Sequence, residues 1–240
     1  MIYVVGLGPG GSEQITPRAY SALEKCDTII GYKAYIELVR PILRGSKEII
    51  SSSMKKERSR CEEALALSLS GHDVALISSG DPGIYGMAGI MLEVAQGTTE
   101  IEIIPGITAA ASSASILGAP IMHDFAVISL SDLMTPWEII EKRLSAAAEA
   151  DFVICIYNPA SHGRPDHLAR AADILMKKLP CDRIAGWVSN AGRDGEKHGL
   201  TTLGSLKNTS IDMFCTVIIG NSATRNIDGR MVTPRGYSED

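Results

Sequence analysis

Short apolar segments alternate with helical ones through the first half of the chain, and no other feature restricts the fold as much. The apolar segments have the length of buried strands, whereas the segments between them carry apolar residues at helical spacing. Such alternation predicts a parallel sheet with helices on both faces. The predicted strands are residues 2–5, 28–30, 48–50, 74–77 and 102–104, and the predicted helices are residues 17–25, 36–43, 56–69, 86–95 and 108–117.

The pattern changes near residue 120. Helices are predicted at residues 136–148 and 165–178, and several of the later apolar segments follow one another at hairpin spacing. Strands joined in this way favour a mixed sheet. We therefore expect two α/β domains, residues 1–120 with a mostly parallel sheet and residues 121–240 with a mixed sheet.

Composition restricts the classes of partner. The chain has 240 residues, of which 45% are hydrophobic, and a net charge of −5. This charge argues against a nucleic-acid partner, which requires a basic surface.

No apolar stretch approaches the roughly 18 residues that span a membrane, and the first residues lack a signal-peptide pattern, so we expect a cytoplasmic protein with no membrane partner. The five cysteines form no C-x-x-C pair and the five histidines show no ligand spacing, so no metal site is predicted.

Glycine-rich loops follow three of the predicted strands. They are Gly6-Leu7-Gly8-Pro9-Gly10-Gly11, the segment from Ser79 to Gly86, and Pro105-Gly106-Ile107-Thr108. An open α/β sheet binds its ligand at the carboxyl ends of its strands. Glycine lets the backbone approach that ligand closely. Each loop taken alone is also explained as a tight turn or as close helix packing.

Three polar residues stand where the N-cap of a helix is expected: Thr16, Asp81 and Thr135. Asp81 has a second interpretation, because it places a carboxylate in the middle glycine-rich loop. We expect it to cap a helix and also to accept hydrogen bonds from a ligand.

The first loop matches the pattern G-x-G-x-x-G, which raises the possibility of a dinucleotide site. In that fold the second strand ends in an acidic residue that binds the ribose, but here it runs into Gly31-Tyr32. Pro9 also removes one backbone donor from the turn that would hold the phosphates. A nicotinamide or flavin site is therefore disfavoured, and no P-loop pattern is present.

Taken together and in this order, the three loops resemble those of the tetrapyrrole (corrin/porphyrin) methylase family. Segments of the second half narrow the resemblance: Ser129 to Trp137, Tyr157-Asn158-Pro159, and the ending Thr233-Pro234-Arg235-Gly236-Tyr237. These segments resemble the precorrin-3B C-17 methyltransferase branch, the ring-contracting enzymes of cobalamin biosynthesis. Methylases acting at C-11 or C-20, and a non-catalytic nucleotide-binding module, remain the alternatives.

The resemblance implies an S-adenosylmethionine-dependent homodimer that binds its cofactor in a cleft between two α/β domains. The implied substrate is precorrin-3B or its cobalt form and the product is precorrin-4 or its cobalt form. No residue decides between the two forms. The predicted cofactor contacts are Pro9, Gly80, Asp81, Ile84, Tyr85, Thr108, Ala109, Tyr157 and Ala191.

Ring contraction requires proton transfers, and the resemblance directs attention to polar residues near the predicted domain junction. His123, Ser129, Ser131 and Asp132 are the candidates, although His123 beside Asp124 is equally explained as a hydrogen-bonded hinge. The implied substrate carries many carboxylates, so an acidic protein needs a local cationic rim. Candidates for this rim are Lys33, Lys55, Lys56, Arg58, Arg60, Arg164, Arg193, Lys197 and Arg225.

Overall fold

A computed structural model describes residues 1–161 and 163–237, and its contacts divide the chain into two compact units, Met1–Ala109 and Ala110–Asp240. Both units are α/β, as predicted. In the part of the chain that the structure describes, no helix has the length and apolar character needed to cross a membrane.

The first unit is built on a five-stranded sheet in the order β3-β2-β4-β1-β5. Every pair of neighbours in it is parallel, which confirms the predicted sheet type. Successive apolar residues along the strands belong alternately to two separate core clusters, one on each face of the sheet. The strands are β1 (Ile2–Gly6), β2 (Thr28–Tyr32), β3 (Glu48–Ser52), β4 (Val74–Ser78) and β5 (Ile101–Ile104).

Four helices cover this sheet: α1 (Pro17–Lys25), α2 (Lys33–Val39), α3 (Glu57–Leu69) and α4 (Ala88–Ala95). Helices α1 and α2 pack on one face and α3 and α4 on the other. The predicted cap of α1 is confirmed, because Thr16 Oγ1 accepts a hydrogen bond from the Ala19 N–H at 3.1 Å. Short 3-10 turns occupy Ser12–Gln14 and Arg40–Ile42.

The chain leaves β1 and β4 in opposite directions. From β1 it passes over β4 to reach β2, and from β4 it passes over β1 to reach β5. These two connections lie on opposite faces of the sheet, because α1 packs on one face and α4 on the other. Adjacent strands whose connections leave toward opposite faces open a crevice at their carboxyl ends, where open α/β sheets bind ligands. The first two glycine-rich loops follow these two strands.

The second unit contains a mixed sheet in the order β10-β9-β11-β8-β7, as predicted. Only β7 and β8 are parallel neighbours in it. A further sheet, β12-β13-β6, was not predicted. The strands are β6 (Gly118–Ala119), β7 (Phe125–Ser129), β8 (Val153–Tyr157), β9 (Ile184–Ser189), β10 (Lys197–Thr202), β11 (Cys215–Ile219), β12 (Arg225–Ile227) and β13 (Arg230–Val232).

In the described part of the second unit, three helices accompany these sheets: α5 (Ala109–Leu117), α6 (Trp137–Glu149) and α7 (His167–Leu175), with a 3-10 turn at Gly204–Asn208. Helices α6 and α7 pack on one face of the mixed sheet and α5 on the other. The prediction that Thr135 caps α6 is wrong, because the residue at the cap position is Pro136, and no side chain bonds the helix start there.

Candidate functional site

The first two glycine-rich loops are joined through their backbones. The Gly8 N–H donates to the Gly80 carbonyl at 3.1 Å, and the Gly80 N–H donates back to the Gly8 carbonyl at 2.7 Å. One residue earlier, the Leu7 N–H donates to the Ser78 carbonyl at 2.9 Å. The pairing of β1 with β4 therefore continues past the strands into the loops.

Asp81 joins the second loop to the third. Its Oδ1 accepts from the Gly83 N–H at 2.8 Å, and its Oδ2 accepts from the Gly106 N–H at 3.1 Å. The expectation that Asp81 caps a helix is wrong, because α4 begins only at Ala88 and Met87 occupies its cap position. The carboxylate instead bridges two loops that lie 25 residues apart in sequence.

Glycine is required where the three loops meet. A Cβ atom on Gly106 would lie 2.2 Å from the Gly80 carbonyl oxygen, and one on Gly6 would lie 2.6 Å from the Gly106 nitrogen. Gly80 itself has a φ of +65°, in the left-handed region that favours glycine. The loops are thus packed backbone against backbone.

This packing uses the backbone donors that a phosphate would need. The N–H groups of Leu7, Gly8, Gly80, Gly83 and Gly106 all donate to acceptors in the loops or at the end of β4. A pyrophosphate binds at such loops through free N–H groups. The loop geometry therefore supports the sequence argument against a dinucleotide, since these five donors are already engaged.

The surface of the loops carries apolar side chains. Ile84, Tyr85 and Ile107 are 38%, 58% and 39% exposed, respectively. Tyr85 also has a φ of +53°, an uncommon conformation for an aromatic residue that points to local strain. Of the other predicted cofactor contacts in this region, Pro9 is buried, whereas Thr108 and Ala109 are half-buried at the start of α5. Exposed apolar groups at a sheet's ligand-binding edge favour a ligand with an apolar face.

Tyr157 and Ala191, the predicted contacts from the second half, lie at strand ends. Tyr157 ends β8, and its Oη accepts from the Ala110 N–H at 2.7 Å. Ala191 is buried in the turn after β9, between Asn190 and Gly192, which both have positive φ. Tyr157 Oη thus binds the backbone of Ala110, next to the predicted cofactor contact Ala109.

The four candidate proton-transfer residues do not form one group. His123 precedes β7, whereas Ser129 ends it, and the strand alone separates them by about 13 Å at its usual rise per residue. His123 is exposed, and its Nδ1 accepts from the Asp124 N–H at 2.9 Å. This contact fits the hinge interpretation.

Ser129, Ser131 and Asp132 lie together after β7. Ser129 Oγ accepts from the Ser131 N–H at 3.2 Å and from Asn158 Nδ2 at 3.0 Å. Asp132 lies 3.6 Å from both Arg164 Nη1 and His167 Nε2.

Sequence reasoning did not assign a role to Asn158 or His167. Asn158 follows β8 directly, at the same sheet edge as Ser129. His167 lies next to Leu168, on the apolar face of α7. The sequence could have indicated His167, because a titratable side chain on the apolar face of a predicted helix is unusual.

A cavity of about 720 Å³ lies at the carboxyl ends of β2 and β3. Among the rim candidates, Lys33 lines it, whereas Arg60 is only 4% exposed and is not a rim residue. Arg60 Nη2 contacts the Ser53 carbonyl at 3.5 Å, and Ser53 lines the cavity. The lining residues are Tyr32, Lys33, Ala34, Glu37, Ser51, Ser52, Ser53 and Met54.

Comparison with known proteins gives consistent matches over most or nearly all of the chain. The family model described as "Tetrapyrrole (Corrin/Porphyrin) Methylases" matches residues 1–207. The chain is 50% identical to a probable cobalt-factor III C(17)-methyltransferase of Salmonella typhimurium, over 99% of this chain and 100% of that protein. It is 38% identical to a precorrin-3B C(17)-methyltransferase of Sinorhizobium sp, over 99% of this chain and 97% of that protein.

A solved structure agrees with these sequence matches. The crystal structure of the methyltransferase CobJ superposes with a TM-score of 0.92, at 35% identity, over 97% of this chain and 99% of that one. The fold described above is therefore shared with a solved methyltransferase at nearly full length.

Proposed function

Because the chain belongs to the tetrapyrrole (corrin/porphyrin) methylase family, we propose that it is an S-adenosylmethionine-dependent methyltransferase of cobalamin biosynthesis. It methylates C17 of precorrin-3B or its cobalt form, and the ring contracts in the same transformation. The observation that carries this proposal is the full-length match to two relatives whose names both specify C(17), at 50% and 38% identity. Neither of these two names specifies C-11 or C-20, the positions of the alternative methylases.

The cobalt-bound substrate is the favoured form. The relative named for cobalt-factor III is 50% identical to this chain, whereas the relative named for precorrin-3B is 38% identical. Both matches cover 99% of the chain, so the difference does not come from unequal coverage. We therefore expect faster turnover with the cobalt-containing ring than with the metal-free one.

The glycine-rich loops suit the proposed cofactor. S-adenosylmethionine supplies a methyl group on a sulfonium that is its own leaving group, so no protein nucleophile is needed. The protein contributes mainly by positioning, an effect that supplies about 7–11 kcal/mol in well-oriented reactions. Exposed Ile84 and Tyr85 offer apolar surface to the adenine, and Asp81 offers oxygen acceptors to the ribose, whereas Gly80 stays a predicted contact. Pro9, Thr108, Ala109, Tyr157 and Ala191 stay predicted contacts.

The cavity at β2 and β3 is our candidate for one edge of the tetrapyrrole. It combines the Lys33 ammonium and the hydroxyls of Ser51, Ser52 and Ser53, which suit a carboxylate, with apolar surface from Ala34 and Met54. It opens at the same edge of the sheet as the glycine-rich loops, because all five strands are parallel. A carboxylate-fringed ring matches this mixture of groups.

Homodimerisation and a cytoplasmic location belong to the same proposal and rest on the family resemblance. Sedimentation equilibrium of the purified protein tests the first, with a single species of twice the chain mass expected. Cell fractionation tests the second.

The test of the proposed function is a methyl-transfer assay with methyl-labelled S-adenosylmethionine. The purified protein is incubated with the cobalt-bound and the metal-free substrates in parallel. We expect label in the tetrapyrrole, one added methyl group by mass, and its position at C17 by NMR. Asp81→Ala serves as the control with impaired cofactor binding. Binding of S-adenosylhomocysteine without any label transfer would instead identify a non-catalytic nucleotide-binding module, and label at another carbon would identify a different methylase.

A further inference from the structure

Arg164 lies at the carboxyl edge of the mixed sheet and uses few of its hydrogen-bond donors. Its side chain is 19% exposed, and Nη1 lies 3.6 Å from Asp132 Oδ1, in the loop that follows β7. Its Nε donates to Ser161 Oγ at 3.0 Å. Nη1 is buried without a hydrogen-bond acceptor, and no described residue accepts from Nη2. Within the described part of the chain, most N–H groups of this guanidinium therefore have no acceptor.

The guanidinium is nevertheless held in position. The backbones of Ser161 and Arg164 exchange two hydrogen bonds, at 3.3 and 2.9 Å, which fix the backbone at Arg164. The bond from Nε to Ser161 Oγ restricts the orientation of the guanidinium itself. The Asp132 carboxylate is close enough for an ion pair but too far away for a hydrogen bond. Asp132 therefore attracts Arg164 without using its donors.

Unused donors on a largely buried cation indicate a missing acceptor. Buried donors in folded proteins nearly always have a partner, which is a protein group, a water or a bound molecule. A guanidinium presents parallel N–H groups that match the two oxygens of a carboxylate or a phosphate. Because Nε is bonded to Ser161, Nη1 and Nη2 are the nitrogens left for such a group.

Two exposed apolar side chains adjoin this cation. Leu133 and Met134 follow Asp132 directly, and they are 63% and 89% exposed. The loop is fixed at its beginning, because the Ser131 N–H donates to Ser129 Oγ at 3.2 Å. Large apolar side chains that are exposed side by side mark a contact surface for a ligand or a partner. The neighbouring guanidinium restricts the occupant to one that combines apolar surface with an anionic group.

This surface lies beside a predicted cofactor contact. β7 and β8 are parallel neighbours, so their carboxyl ends share one edge of the sheet. Tyr157, the predicted contact, ends β8 and pairs in register with Ser129, and the loop that carries Leu133 and Met134 begins just after Ser129. A methyl acceptor must be held within reach of the methyl donor. The occupant that fits this location is therefore the acceptor, a flat ring fringed with carboxylates.

We propose that Arg164 binds one carboxylate of the tetrapyrrole and that Leu133 and Met134 cover part of the face of the ring. This inference rests on the proposed function and assigns a part of the substrate site to the second unit. The carboxylate accepts hydrogen bonds from the guanidinium, and the ring displaces water from the two apolar side chains. Arg164 thereby selects for a charged side chain at one position of the ring, since an amide or an ester there lacks the charge.

Three variants separate the paired donors, the charge and the apolar surface. Arg164→Lys keeps the positive charge and loses the paired N–H groups, whereas Arg164→Gln loses the charge as well. The third variant combines Leu133→Ser with Met134→Ser, and because both side chains are exposed, these substitutions remove little packing from the core. The control is Arg143→Gln, at an exposed arginine of α6 in the same unit.

We expect KM for the tetrapyrrole to rise about 10- to 100-fold in Arg164→Gln, the range for hydrogen bonds to a charged group. Arg164→Lys should give a smaller rise, and the double variant a rise of about tenfold, because less apolar surface is buried. In all three variants kcat should change less than KM, and calorimetry should give an unchanged affinity for S-adenosylhomocysteine. Added salt should raise KM in the wild type more than in Arg164→Gln, because salt screens the charge that this variant lacks.

A second measurement needs no turnover. Uroporphyrin III, a porphyrin fringed with carboxylates, is titrated into the protein, and quenching of tryptophan fluorescence reports its binding. Trp137 is a suitable reporter, because it begins α6 directly after the loop that carries Leu133 and Met134. The dissociation constant of the porphyrin should rise in all three variants and stay at the wild-type value in Arg143→Gln.

An unchanged KM in Arg164→Gln and in the double variant overturns the inference. An equal rise of KM in Arg143→Gln also overturns it, because it would indicate a general effect of charge. If the wild type transfers no methyl group but binds the porphyrin through Arg164, the proposed function fails and the carboxylate site stands; if it does neither, both fail. If the wild type is active but does not bind the porphyrin, KM decides. If Arg164→Gln does not fold, Arg164→Lys and the double variant decide.

Discussion

At the scale of single residues, Asp81 connects the structure of the site to its chemistry. Both of its carboxylate oxygens accept backbone N–H groups, at 2.8 and 3.1 Å. Hydrogen bonds to a charged group contribute about 1.5–3 kcal/mol each, less where water reaches them. Replacing Asp81 therefore frees two loop segments, and the proposed cofactor site loses its shape as well as one acceptor.

We predict that Asp81→Ala lowers the affinity for S-adenosylhomocysteine at least about tenfold, an energy of about 1.4 kcal/mol. It also lowers the free energy of unfolding, because Gly83 and Gly106 lose their acceptors. Isothermal calorimetry and urea denaturation measure the two effects, with the exposed Asp182→Ala as the matched control. Wild-type affinity in Asp81→Ala would contradict this role.

Two glycines provide a matched pair for the packing of the loops. A Cβ on Gly106 would lie 2.2 Å from the Gly80 oxygen, whereas a Cβ on Gly89, inside α4, would meet nothing within 4 Å. Gly106→Ala should therefore destabilise the protein and weaken S-adenosylhomocysteine binding. Gly89→Ala should stabilise it by about 0.5–1 kcal/mol, because alanine favours a helix. Thermal and urea unfolding check both, and equal effects of the two substitutions would refute the proposed loop packing.

The role of the glycines in the three loops could be predicted from sequence, because few other residues allow such tight turns. The role of Asp81 as a bridge could not, since Gly106 lies 25 residues away and only the fold brings them together. The opposite effect separates His123 from Ser129. They are close in sequence and were expected to act near one another, but the extended strand β7 between them keeps them apart.

At the scale of elements, the start of α5 is linked to the end of β8 by one hydrogen bond. Ala110 is 1% exposed, and its N–H, which has no partner within the first turn of a helix, donates to Tyr157 Oη. Tyr157→Phe would leave this donor buried and unpaired. We predict a loss of about 1–3 kcal/mol in the free energy of unfolding. Urea denaturation measures it, Tyr237→Phe at an 88% exposed site is the control, and equal stability of the two variants would contradict the prediction.

The strands and helices of the first unit followed from the sequence because each has an unambiguous apolar pattern. The small β12-β13-β6 sheet did not, because β6 has only two residues and pairs with a strand more than 100 residues later. The start of α6 also differs from expectation. Pro136 fixes the backbone just before the helix, so a threonine one residue earlier is too far away to cap it.

At the scale of the whole molecule, four buried thiols make folding sensitive to alkali. Burial raises the pKa of the Cys26, Cys155 and Cys215 thiols to about 12. It also raises the pKa of Cys61 to about 11. In an unfolded chain thiols ionise near about pH 8.5. Above that pH the unfolded state releases protons that the folded state keeps, so stability falls as pH rises.

We predict that the free energy of unfolding falls by up to about 1.4 kcal/mol per pH unit for each buried thiol between about pH 9 and 11. Urea midpoints at a series of pH values measure this fall, and Cys155→Ala should make it shallower. A thiol reagent at mildly alkaline pH should modify the exposed Cys181 in the folded protein, and the other four cysteines only after unfolding. Rapid modification of all five in the native state would contradict the burial.

The reciprocal bonds between Gly8 and Gly80, together with the Asp81 bridge, make the proposed ligand-binding edge of the first unit pre-organised. The N–H groups of Gly8, Gly80 and Gly106 already donate to acceptors in the protein before any small molecule binds. Little chain entropy therefore remains to be lost on association. Hydrogen exchange at Gly8, Gly80 and Gly106 should therefore be slow in the free protein and only slightly slower with S-adenosylhomocysteine present. We therefore expect the proposed methyl donor to meet a rigid, preformed surface at this edge, and the loops not to fold around it.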